Sequence, residues 1–311
     1  LAYELAEAGM KLAVQYSNIS VKCRCWLINA MIACWFKPLR RSITLFEEAF
    51  DLAIESGQFA YASYAGYHAF GSAFSSGLEL HQTDARLSKY LKYLKKQNQY
   101  LHSLLQLSAQ PFQFLFGRSD SDVHEIPLKS SLQQGVYYYG RLMTAFWKNE
   151  KELLYHLAQK CYEISVQTLP QTYKLHECYL FIAISFLAVY DDPTLSEHVK
   201  LTILSDVDNI ISKLQYLSDI CEPNVMHKLL LVKAEKCRVQ HKLDEALEFY
   251  EEATEMSREL GFIQYEALAH ELCGKMWLAR NKPKYAMCHI NEAYYLYYRY
   301  GAVGKLEQLK K

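Results

Sequence analysis

Apolar residues recur at i, i+3, i+4 and i+7 through nearly every long segment, and no stretch sustains the alternation of a half-buried strand. The pattern predicts an all-α chain. Its helices should break at Lys37-Pro38, Gly57, Leu169-Pro170, Asp191-Asp192-Pro193, Cys221-Glu222-Pro223 and Asn281-Lys282-Pro283, where glycine and proline stop helical turns. Between Ala109 and Pro127 the periodicity lapses (AQPFQFLFGRSDSDVHEIP), giving aromatics, then a polar acidic stretch, then proline. A connector packed by Phe112, Phe114 and Phe116 is expected there, in preference to a projecting contact element. The whole of 1–311 reads as a single helical array. The loop at 109–127 divides it into a possible N-terminal half, 1–108, of two or three helical pairs and a C-terminal half, 128–311, of about four.

Inside the helices a longer period is visible. Around Glu245 the chain reads EALEFYEEATEMSRELG, with small residues at Ala246 and Ala253 and a large aromatic at Tyr250. Forty residues on, YAMCHINEAYYLYYRYG sets Ala286, Ile290 and Ala293 at the matching places, and Ala234 and Gly274 each lie twelve positions upstream. Small, small, large, small at these offsets is the tetratricopeptide register, stretched from its usual ~34 residues. The physical need is close packing: helices approach to about 8–10 Å only where a small side chain faces a bulky one. The unit recurs near the other end. Ser42 to Ala49 with Gly57 parallels Ala246 to Ala253 with Gly261, and Phe59 to Gly71 parallels Phe262 to Gly274 with one residue inserted before the phenylalanine. The expected fold is therefore an all-α, tetratricopeptide-like α-solenoid, a right-handed superhelix of antiparallel helix pairs whose work is contact.

Composition changes this picture little. Hydrophobic residues make up 51% and charged residues 22%, which is globular, and the 34 basic residues balance 34 acidic ones, so no overall basic field draws nucleic acid or anionic lipid. Nucleic acid and membrane are not expected partners. The most apolar run, Cys178 to Tyr190, is too short to span a bilayer. The chain opens on Leu1 within a helical pattern, without an initiating Met or a signal-peptide layout, and is expected to be a piece of something longer. Nine cysteines without a framework suit a reducing cytoplasm. Most lie in apolar runs, such as Cys34, Cys178 and Cys273. Cys23 and Cys25, beside Lys22 and Arg24, are expected to be buried or incidental thiols; with Cys221, at the Glu222-Pro223 break, they are the alternatives that redox chemistry would use. Cys23-Arg24-Cys25 lacks a second pair for zinc.

Catalytic constellations are scarce. His270-Glu271 begins like the zinc-protease motif, but Gly274 stands where its second histidine belongs. Gly66 to Gly71 lacks the lysine and the preceding strand of a phosphate loop. Glu47-Glu48 and Glu251-Glu252 diverge by about 100° on a helix and read as solvated faces. Tyr137 to Tyr139, and Tyr294-Tyr295 with Tyr297-Tyr298, could line a peptide groove, though most should fill core and rim. No catalytic, cofactor-binding or metal-ligating residue is assigned.

One ordered set of residues is more specific than the repeat. Cys221-Glu222-Pro223-Asn224, His227-Lys228, Ala234-Glu235, Ala246, Tyr250-Glu251, Ala253, Gly261-Phe262, Ala267-Leu268-Ala269 with Glu271-Leu272, and Tyr300-Gly301-Ala302 with Lys305 and Leu309 follow in turn. With Trp35 to Leu39, Gly57 and Tyr61 to Tyr64, the set resembles the helical region of very large hybrid sensor histidine kinases of fungi and bacteria. It departs at Tyr300, where that family commonly has tryptophan, and the chain stops at Lys311 before its usual Tyr-Pro ending. In that family a protein-kinase-like domain and an AAA-type ATPase precede this region. GAF, phosphoacceptor, histidine-kinase and receiver domains follow it. The resemblance implies a regulatory solenoid that relays a signal, with oxidative stress the plausible stimulus, toward a histidine-to-aspartate phosphorelay. Its partners would be neighbouring domains and phosphorelay components. ATP would be bound elsewhere in the parent, and this segment would carry no cofactor. The alternative is a free-standing tetratricopeptide adaptor that binds peptide or helical motifs of a protein partner.

Overall fold

In the computed structural model, which describes residues 1–16, 18–118, 126–169 and 173–310, the regular structure is helical and no strand occurs among those residues. The chain parts into two compact units, Leu1–Ala109 and Gln110–Lys311. The first holds α1 (Ala2–Gln15), α2 (Ile19–Ala33), α3 (Arg40–Glu55), α4 (Phe59–Ser75), α5 (Leu80–Gln97) and α6 (Gln99–Ser108). Asn18 and Asn98 open α2 and α6, their side chains accepting from Val21 N at 3.1 Å and Leu101 N at 3.0 Å, which satisfies amides the helix cannot. Each helix packs on the next, and α4 also touches α2 and α6. That central position explains its composition. Ala62, Ala65, Gly66, Ala69 and Ala73 are buried and let neighbouring helices close in. A Cβ on Gly66 would lie 2.7 Å from Tyr90 Cδ1 on α5, so the ring takes the space a side chain would need.

The second unit holds α7 (Gln110–Leu115), α8 (Ser131–Lys148), α9 (Lys151–Lys160), α10 (Val166–Thr168), α11 (Lys174–Val189), α12 (Glu197–Ile220), α13 (Glu222–Val239), α14 (Leu243–Leu260), α15 (Ile263–Ala279), α16 (Pro283–Tyr300) and α17 (Val303–Leu309). A π-helical turn, Cys161–Ser165, joins α9 to α10 and brings Ser165 Oγ to Gly135 O at 2.9 Å. α8 starts with a capping box between Ser130 and Gln133. Neighbouring helices again pack in pairs, and α11, α13 and α15 also touch in succession.

The forty-residue period is written in the backbone as well as in the sequence. His241 and Asn281 both take left-handed φ, 60° and 56°, between the helices of their pairs, and Gly261 and Gly301 follow α14 and α16 at 76° and 83°. Ala234, Ala246, Ala253, Ala286 and Ala293 are fully buried, Tyr250 nearly so, and Ile290 is half-buried. Gly274 shows what the small positions are for. A Cβ there would sit 2.8 Å from both Cδ1 and Cγ1 of Ile290.

One expectation needs correcting. The segment 109–127 is not a plain loop, because Gln110–Leu115 forms α7, packed on α8 and α17. Phe112 is buried and stacks on Phe116 with centroids 5.4 Å apart, while Phe114 and Phe116 are half-buried. A short run with apolar residues at 112, 115 and 116 has a helical stripe too brief to stand out as periodicity. Residues 119–125 and Pro170 of the anticipated turn lie outside the described residues.

Gly274→Leu should therefore overpack the α15–α16 contact and cost about 1–3 kcal/mol in urea denaturation. Adding Ile290→Ala should recover part of that loss. No loss in the single variant, or none recovered in the double, would show that the two positions do not meet.

Candidate functional site

Of the four carboxylates buried among the described residues of the second unit, Glu266 pairs with Arg258 at 2.8 Å, and the other three lie on successive members of the α11, α13 and α15 series: Glu177, Glu235 and Glu271. Taking a carboxylate out of water is costly unless hydrogen bonds or a cation replace the solvent. Each of the three is provided for. Tyr139 on α8 donates to Glu177 at 2.9 Å, and Tyr265 on α15 donates to its other oxygen. Tyr250 donates to Glu235, whose second oxygen accepts from Arg238 Nε at 2.9 Å. Arg238 also reaches Asp191 and the Leu187 carbonyl, at 2.9 and 2.8 Å, and so ties α13 to the end of α11.

Glu271 is the most heavily held. It accepts from Tyr297 at 2.8 Å, from Lys275 at 2.7 Å and from Lys305 at 2.7 Å. The Lys305 side chain is 1% exposed, since the turn at Gly301 aims α17 so that this lysine points inward beneath Trp147 and Tyr297. Burial alone would raise the Glu271 carboxyl, but Lys275 and Lys305 outweigh it and hold it at about 2. Burial also lowers the Lys305 amine to about 8, with Glu271 opposing the shift. The tyrosine hydroxyls at 139, 250, 265 and 297 are pushed upward, first by burial and then by the carboxylate each one faces, so they remain donors.

Beside Glu177 lies a second buried group. Lys228 Nζ donates to Asn224 O at 2.7 Å, lies 2.9 Å from His227 Nε2, and sits over the rings of Phe262 and Tyr265 at 4.8 and 4.6 Å. With the amine donating, His227 Nε2 is the acceptor and its proton belongs on Nδ1, which has no hydrogen-bond partner. His227 stacks on Phe262 at 4.3 Å. Burial lowers Lys228 to about 7, and burial with the nearby Lys228 charge drives His176 and His227 well below the ordinary histidine range. A perturbed lysine among histidines and a carboxylate could serve general-base chemistry if a substrate reached it. Here Lys228, His227, His176, Glu177 and Tyr265 are all buried, and Tyr265 on α15 meets Glu177 of α11 and Lys228 and His227 of α13.

One groove of this unit has a volume of about 470 Å³. Phe146, Leu154, Val189, Leu272 and Met276 give it apolar walls, while Lys151, Asp192 and Lys275 edge it beside the Glu235–Arg238–Asp191 set. Apolar walls with charges of both signs suit a polypeptide segment with one or two large apolar side chains. Because Arg238 and Lys275 are engaged with Glu235 and Glu271, the groove presents no converging acid–base pair.

The residues singled out from the sequence fare unevenly. Asn224, His227, Lys228, Glu235, Tyr250, Phe262, Glu271 and Lys305, which carry the resemblance, come together as this network. Reading the residues alone missed their pairing. Of the thiols, Cys25 is half-exposed, but Cys23 and Cys221 are buried, contrary to the exposure expected of redox candidates. Cys23 turns inward from Lys22 and Arg24 because successive helical residues diverge by about 100°. Burial raises its thiol, and Cys221 is enclosed against Asn224, whose amide donates to its sulfur at 3.3 Å. The exposed thiol is Cys288. Among the described residues no group of His, Cys, Asp and Glu suits a metal ion, and no helix is long and apolar enough to cross a membrane. No known family model and no curated protein matches the chain.

Two expected outcomes follow from the network. Glu271→Leu leaves Lys305 buried without its carboxylate and should cost about 3–5 kcal/mol, much of it regained in Glu271→Leu/Lys305→Met; an additive double variant in chemical denaturation would contradict the pairing. The second concerns pH. A lysine held at about 7 when folded, against the ordinary 10.5, leaves the unfolded chain with more bound protons between those values. Stability should therefore rise with pH from about 7 toward 10.5, and Lys228→Met should flatten that rise. An unchanged slope in the variant would show that Lys228 is not its source.

Proposed function

We propose that the chain is a non-catalytic interaction and regulatory module, a tetratricopeptide-like α-solenoid, that couples an upstream ATPase or kinase-like domain to the output of a hybrid sensor histidine kinase. The observation that carries the solenoid reading is the repeated pair, α13–α14 and α15–α16, with its forty-residue period in both small-residue contacts and left-handed turns. Contacts between alternate helices, α2 with α4 and α6 with α4, and α13 with both α11 and α15, are what stacked pairs produce. The non-catalytic reading is supported by the buried network, in which perturbed groups bind one another across helices. The kinase context rests on the resemblance of the ordered residues from Cys221 to Leu309. Many of these form the helix-fastening network, so the resemblance speaks to architecture and carries no catalytic residue with it.

In this reading the module works in the cytoplasm. ATP binds to other domains of the parent, and the signal, peroxide stress, passes by a change of contact between protein surfaces. The groove beside Arg238 favours a second reading, a free-standing adaptor that takes up a peptide or helix. An in-frame deletion of this segment from its gene separates the two. If the module relays, the remaining protein should still label itself from radioactive ATP but lose its response to peroxide. A reading frame that ends at this chain's own termini would sink the relay and favour the adaptor. The purified chain, incubated with labelled ATP, should retain no more label than a denatured control; labelling above that control would overturn the non-catalytic reading.

A further inference from the structure

A second groove runs between the start of α13 and the C-terminal half of α14, with a volume of about 340 Å³. Its floor is Met226, Leu230 and Met256, and its rim is Glu222, Glu252, Glu255 and Glu259. The two methionines are half-buried and the four glutamates exposed. Among the described residues none of the four is held in an ion pair, whereas Glu245 and Glu266 nearby are paired with Lys242 and Arg258.

The fold does not ask for this composition. One repeat later the same places hold Phe262, Glu266, His270, Glu292, Tyr295, Leu296 and Arg299, so of the rim only Glu252 recurs, and the other three glutamates and both methionines belong to one copy only. The rim is also poorly placed for the helix that bears it. Glu248 and Glu252, Glu251 and Glu255, and Glu255 and Glu259 set like charges one turn apart. Glu255 and Glu259 lie toward the C-terminal end of α14, where the helix dipole disfavours anions. A bound cation relieves both burdens. Methionine, unbranched and polarizable, moulds itself to whatever apolar side chain enters, and a cleft between two helices accepts a third.

We propose that this groove docks a basic amphipathic helix of a partner protein, with its apolar stripe on Met226, Leu230 and Met256 and its lysines and arginines on the four glutamates. The site is separate from the groove beside Arg238, so its failure would leave the relay reading standing.

The test uses a fluorescein-labelled amphipathic helix built of leucine and lysine, titrated into the chain by anisotropy. Saturable binding is expected, weakening as salt is raised. Glu252→Lys/Glu255→Lys/Glu259→Lys should weaken it by about tenfold or more, and Met226→Gln/Met256→Gln should weaken it with the circular dichroism unchanged. Reversing three exposed acids of α14 outside the groove, Asp244→Lys/Glu248→Lys/Glu251→Lys, should leave affinity within about twofold. The proposal is overturned if binding does not saturate, if the two triple variants lose affinity equally, if the methionine variant binds as well as the parent, or if a scrambled peptide of the same composition binds as tightly.

Discussion

The second unit depends on keeping three carboxylates hydrogen-bonded out of water. Glu177, Glu235 and Glu271 sit on α11, α13 and α15, the helices that touch one another in succession, and none of them is satisfied by its own helix alone. The partners come from elsewhere in the chain: Tyr265 lies far from Glu177 in sequence, Lys305 far from Glu271, and Asp191 completes Arg238 across the α11–α13 contact. A buried charge with one partner removed is worse off than an apolar pair, so the helices bearing these groups are committed to one arrangement. Apolar packing alone tolerates slippage; a lysine fixed between Trp147, Tyr297 and Glu271 does not.

This constraint divides the molecule's polar residues by role. Groups with strongly displaced proton affinities lie inside, where they hold Tyr, Lys and Arg side chains in register. Polar residues that meet solvent edge two grooves of opposite character, among other places, one bearing charges of both signs over apolar walls, the other acidic over methionine. The likeness between repeats is internal, in Ala253 and Ala293 or Ala246 and Ala286, and differences are external, in Glu255 against Tyr295 and Glu259 against Arg299.

What could be read from the sequence follows the same line. The forty-residue period was legible because its cause is local and periodic: a glycine facing Ile290 and a left-handed residue after each of α13 to α16 leave marks at fixed spacing. The buried network was not. Glu235 and Glu271 occupy helices whose amphipathic pattern is weak because they are buried on most sides, and a glutamate there looks like one on a solvated face. Its partners arrive from loops and helices whose approach only the fold determines. The signals available were the tyrosine-rich composition and the ordered set ending at Lys305, which marked these residues without saying that they meet. The burial of Cys23 and Cys221 was hard to read for a related reason, since flanking charge and a nearby proline say little about which way a thiol points. The helix at Gln110–Leu115 was too short for its stripe to register.

The central claim is that these buried polar groups act on one another as fasteners, and a double-mutant cycle on Glu177 and Tyr265 tests it most directly. Glu177→Gln, Tyr265→Phe and the pair of substitutions would be compared with the parent chain by equilibrium urea denaturation. The account predicts a coupling of about 1 kcal/mol or more between the two positions. Effects that add to within about 0.5 kcal/mol would contradict it, because the two residues would then hold nothing together.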